Sequence, residues 1–145
     1  FSLDEDRTKQ RLAQSPRPLN WVVAVDDIYD AVSKCGYDAG KITAMTRGDL
    51  EWMLTIAEDG TLVEDGLLPG LIQWPGGRNP ANKLPESGTR LQRLILQHPQ
   101  PYAIEKIIDQ LSIDRPIEVR PGTTNLIFEM QTKAGELVSL SSASV

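Results

Sequence analysis

Cysteine and histidine are almost missing from this chain of 145 residues: Cys35 and His98 are the only ones. A lone thiol excludes an intrachain disulfide and a thiolate metal cluster, and it fits a reducing compartment, so a cytoplasmic location is expected. A lone imidazole removes most zinc sites that one chain could build and leaves a Ser-His-Asp arrangement dependent on one residue. No run approaches the roughly 20 apolar residues of a membrane-spanning helix, and no secretory signal leads the sequence, so a membrane is not an expected partner. Basic residues are scattered and the formal net charge is −5. The basic stripe that releases counterions from nucleic acid is therefore lacking, and nucleic acid is not an expected partner either. The first residue is Phe1 rather than Met, which raises the expectation of a processed product or a fragment.

Hydrophobic residues make up 40% and charged residues 24% of the sequence, the balance of a globular chain rather than a disordered one. Residues 1–18 read as a polar lead-in arm or linker. Residues 21–25 form a short, valine-rich apolar run, too short for a helix, and predict a buried strand. Asp27 is placed to cap a following helix, with Ile28, Ala31, Val32 and Cys35 at helical spacing. The period then falls to two. Residues 41–46 and 50–57 predict strands joined at Arg47-Gly48-Asp49, and residues 67–74 predict another, with Pro69 and Gly70 suggesting an edge or a bulge. The first unit, residues 19–75, is thus β-α-β-β-β.

Residues 76–89 are a connector rich in glycine and proline. The second unit, residues 90–142, repeats the order: a strand over 91–97, a helix over 101–111, and strands over 117–120, 125–132 and 136–141. An offset of 72 residues carries Leu19 to Leu91, Val22 to Leu94, Val23 to Ile95, Ala31 to Ala103, Val32 to Ile104 and Cys35 to Ile107. Each of these positions stays apolar, which suggests an internal duplication. Neither unit alone can bury its sheet, so the two are expected to pair.

The opening L-x-x-V-V-x-V-D-D of residues 19–27, followed by a helix, resembles the βαβββ module of the vicinal oxygen chelate superfamily. Met45, Arg47 and Trp52 in the hairpin, L-P-G-L-I-Q-W from Leu68 to Trp74, and Asn79-Pro80 resemble its glyoxalase-like domain family in particular. The resemblance implies an α+β fold in which two βαβββ modules pair as a half-barrel around a cleft. It also implies a further module before this region, which this chain would lack.

Metal-dependent members of that superfamily place a His on the first strand of a module and a Glu on its last. The matching positions here hold Trp21 and Arg93, then Gln73 and Ser139, a poor donor set for a divalent ion. No cofactor is expected in this chain; a divalent metal would need ligands from the missing module. His98, beside Pro99, reads as a turn or cap residue, and Asp26 and Asp27 as helix caps. No pair of carboxylates is spaced for acid-base work, so no residue is given a catalytic role.

The candidates for ligand contact are Trp21, Arg47, Trp52, Gln73 and Arg93. Tryptophans suit an aromatic wall or a packed core equally well, and Trp74 should point away from Gln73. Arg47 could hold an anion or simply be exposed at its turn. Arg93 replaces an inward-facing residue and must find either an internal ion pair or an anionic ligand. Two functions remain: a protein that binds a small organic ligand, anionic ones included, in the cleft between modules; or a non-catalytic structural module that forms a homodimer through exposed strand edges.

Overall fold

The computed structural model describes Lys9, Ala13 and residues 16–143. Lys9 and Ala13 are helical and exposed, and the rest of the lead-in up to residue 15 lies outside the described residues. Within residues 16–143 the fold is α+β, with two four-stranded sheets and two α-helices. The chain runs through β1 (Val22–Ala24), α1 (Ile28–Lys34), β2 (Lys41–Arg47), β3 (Leu50–Ile56) and β4 (Gly70–Gln73). It continues through β5 (Arg90–His98), α2 (Pro101–Leu111), β6 (Ile117–Pro121), β7 (Asn125–Gln131) and β8 (Leu137–Ser141).

Asp27 caps α1 as its position requires: Oδ1 accepts from the backbone N–H groups of Tyr29 and Asp30 at 2.9 and 3.0 Å. The first sheet has the order β1-β4-β3-β2. One face carries Val23, Ile42, Met53 and Leu71, packed with Ile28, Val32 and Cys35 of the α1 region. Strand β4 lies between β1, to which it is parallel, and β3. Strand β4 departs from the sequence pattern in two ways. The strand starts at Gly70 rather than at residue 67, because Leu67 to Pro69 complete the turn that leads into it. It is also an interior strand rather than an edge: Pro69 lies just outside the ladder, where its missing N–H costs nothing. Beside this start, the Thr55 hydroxyl takes the backbone N–H of Leu71 at 2.9 Å, filling a place that a ladder carbonyl would hold.

The second sheet has the order β6-β5-β7-β8. Here β5 is central, parallel to β6 on one side and antiparallel to β7 on the other. The element order of the two units agrees, but their strand pairing does not. The shared order along the chain thus does not extend to a shared sheet.

The buried cluster that joins the units contains Leu94, Leu96 and Leu126 of the second sheet, Ile104 of α2, and Leu67 and Leu68 of the first unit. Tyr37 borders both this cluster and the one beneath α1. Its hydroxyl donates to the Pro69 carbonyl at 2.6 Å. Burial, and to a lesser extent the neighbouring Cys35 side chain, push the phenol pKa upward, so it stays protonated as a donor.

Candidate functional site

The groove between the sheets is built from the free edge of β1 and the segment that enters β6. Trp21 to Val25 form one wall; Leu91, Leu94 and residues 111–117 form the other, around a volume of 490 Å³. That volume is within the usual range for small-molecule sites, which are mostly apolar with a few polar groups. Val22 is 46% exposed and Leu91 50% exposed, so both are large apolar groups left uncovered beside the groove. Asp114 and Arg115 supply the charged groups of its lining. A larger groove of 720 Å³ lies over the first unit's turns and includes Asp38, Lys41, Asp59 and Glu64. It is the weaker candidate, because its carboxylates serve the turns themselves: Asp38 accepts from Gly40 N–H and Asp59 from Thr61 N–H, each at 2.9 Å.

The five residues singled out in the sequence do not converge. Trp21 lines the inter-sheet groove, and its Nε1 donates to the Leu67 carbonyl at 2.8 Å, which ties β1 to the joining core. Trp52 lies on the face of the first sheet opposite α1, with its ring 5.3 Å from that of Trp74 and tilted by 38°. Arg47 is exposed, and strand register places it on the same face as Trp52. Gln73 faces the other way. Its Oε1 accepts the N–H of Ile28 at 2.9 Å, so it supplements the cap of α1.

Arg93 has an internal answer to its charge. Its guanidinium donates to Glu129 through Nε at 2.9 Å and Nη2 at 2.7 Å, and to Glu118 through Nη1 at 2.7 Å. Glu118 also accepts from Arg120. The hydrogen bonds that Arg93 donates to Glu129 hold its pKa above the usual value, and those that Arg120 donates to Glu118 hold that carboxyl below its own. Two arginines and two glutamates thus neutralise one another on the second sheet's polar face. No anion is needed there.

The metal positions of the superfamily do not fit a metal in this chain. Trp21 and Gln73 are committed to backbone partners, Arg93 is cationic and paired, and Ser139 lies on the edge strand β8. Among the described residues no three His, Cys, Asp or Glu side chains are grouped to hold an ion. His98 is elsewhere: its Nδ1 accepts the Gln100 N–H at 3.1 Å and its Nε2 is 3.9 Å from Glu64.

No local pattern marks Leu91, Ile113 or Arg115 as groove residues. Each is unremarkable in its own segment, and they meet β1 only when the second unit folds beside it.

An α+β chain with two four-stranded sheets and a groove between them defines a broad structural class. The glyoxalase-like domain family model matches residues 2–112, and the chain belongs to that family within the vicinal oxygen chelate superfamily. No curated protein and no solved structure matches it. Among the described residues no helix is long and apolar enough to cross a membrane.

Proposed function

We propose that this glyoxalase-like domain binds a small organic molecule in the groove between its sheets, and that the two sheets act as a half-barrel pair abutting along β1 and β6. The observation that carries the reading is the 490 Å³ groove between β1 and residues 111–117, which combines valine, leucine and isoleucine walls with Arg115. Such a lining suits a mainly apolar ligand with one anionic group: the body leaves water, while the guanidinium meets the charge. The function proposed is binding, with no step assigned to a metal.

The test uses anilinonaphthalene sulfonate, an apolar anion, followed by amide chemical shifts. Saturable perturbations centred on Val22, Ala24 and Ile113 are expected. Ala24→Trp, which fills the groove, and Ile113→Asp, which charges its wall, should both abolish them, while Trp52→Leu on another face leaves them intact. Perturbations centred on Trp52 and Trp74 would overturn the reading.

A further inference from the structure

We propose that β8 is a self-association edge, along which two copies of this chain join their second sheets into one eight-stranded sheet about a two-fold axis at Ser139. Strand edges expose unpaired backbone donors and acceptors, and proteins commonly protect them with charge, proline or short length. The other edges of this molecule carry that protection. Strand β2 has Lys41 and Arg47, β6 has Glu118, Arg120 and Pro121, and β1 spans only 3 residues. Strand β8 reads Leu-Val-Ser-Leu-Ser, with neither charge nor proline, and Leu137 is 76% and Val138 39% exposed.

The ladder fixes which groups are free. The N–H of Ser142 donates to the Leu126 carbonyl and that of Thr132 to the Glu136 carbonyl, both at 2.9 Å. In the β7–β8 register, residues 138 and 140 therefore also bond inward, whereas Leu137, Ser139 and Ser141 direct N–H and C=O outward. Antiparallel pairing about Ser139 sets Leu137 opposite Ser141 of the second copy and Ser139 opposite its own equivalent. Every outward donor then meets an outward acceptor. Between these pairs, Val138 faces the second copy's Leu140 at the closer, non-hydrogen-bonded positions, twice by symmetry. A strand that is complementary to itself in both hydrogen bonds and apolar side chains favours a second copy over an unrelated partner.

The test is sedimentation equilibrium on the whole chain between about 1 μM and 1 mM, a range that spans weak to moderate association. A reversible species of twice the 16.0 kDa protomer mass is expected. Ser139→Pro removes only an outward N–H, so the β7 ladder survives, and it should abolish the dimer with the circular dichroism spectrum retained. Leu137→Lys, which adds charge without touching the backbone, should weaken association at least tenfold and does so independently of any strain at Ser139. A wild-type chain that stays monomeric throughout, or a dimer unaffected by Leu137→Lys, would overturn the proposal.

Discussion

The two units have the same succession of strands and helix, yet β1 lies at the edge of its sheet and β5 at the centre of its own. Burial explains the difference. Leu94, Ile95 and Leu96 are 4%, 1% and 0% exposed, so the middle of β5 is covered on both faces, while Arg90 to Gln92 at its start are exposed. In β1, Val22 and Ala24 are exposed and only Val23 turns toward the α1 core. A strand nine residues long and buried on both faces at its middle can take neighbours on either side, and β5 takes β6 and β7. The first unit instead inserts its last strand beside its first. The lesson is that matching apolar positions at a fixed offset specify strands, but neither their burial, which fails at Val22 and Ala24, nor which strands pair.

If β5 is the centre of stability, truncating its core has the largest effect. Leu96→Ala is expected to destabilise the chain by about 3–5 kcal/mol, in the range for a fully buried leucine, as measured by urea unfolding. Ala at Val22, half exposed on the other unit's first strand, should cost under about 1 kcal/mol. Equal losses would remove the distinction between edge and centre.

The return of β4 toward β1 depends on the turn at Val63–Gly66, where Glu64, Asp65 and Gly66 all have positive φ, of 47°, 55° and 90°. A Cβ at Gly66 would lie 2.0 Å from the Leu19 carbonyl oxygen. Gly66→Ala therefore meets both strain and a clash with the backbone, and a loss of about 2–4 kcal/mol is expected from thermal unfolding. Gly135→Ala, at the tip of the second unit's last hairpin, has φ 85° but open space around it. It should cost only about 1 kcal/mol.

The helices differ at their starts. Asp27 caps α1 through two N–H groups, whereas Gln100 gives α2 no side-chain cap. Asp27→Ala should cost about 1 kcal/mol, and Gln100→Asp should gain about 0.5–1 kcal/mol, both read from chemical denaturation. A loss on Gln100→Asp would mean that something other than capping sets the start of α2.

The smallest effect belongs to the polar face of the second sheet. Arg93, Glu118, Glu129 and Arg120 side chains are 42%, 38%, 32% and 39% exposed, so water and salt screen their pairs. The Glu118 carboxyl is held below its unfolded pKa by Arg120, and then by Arg93. Its contribution is therefore present above the unfolded value of about 4.3 and is lost as pH falls through the folded value. Glu118→Gln should give a slightly lower melting temperature at neutral pH, a smaller deficit in high salt, and none in acid where the wild-type carboxyl is also protonated. A deficit independent of both pH and salt would assign Glu118 to packing instead.

Local features were legible because their physics is local. Asp27 as a cap, the period-two pattern of β2 and β3 and the apolar face of α2 each follow from neighbours a few residues away. The early start assigned to β4 failed because Leu67 and Leu68 are apolar for another reason: they fill the core shared by both units, outside any strand. The candidate ligand residues fared according to their partners. Alternation foresaw that Trp74 and Gln73 point apart, but it could not foresee that Gln73 accepts from Ile28 N–H or that Glu118 and Glu129 flank Arg93.

Residue spacing and turn chemistry alone thus set the kinds of elements, their order and the family resemblance carried by residues 19–27, the hairpin and residues 68–74. Strand neighbours, the groove and the neutralisation of Arg93 depend on contacts between residues far apart in the chain, such as Trp21 with Leu67, 46 positions away. Their energies arise only when distant segments exclude water together, so no periodicity within one segment encodes them.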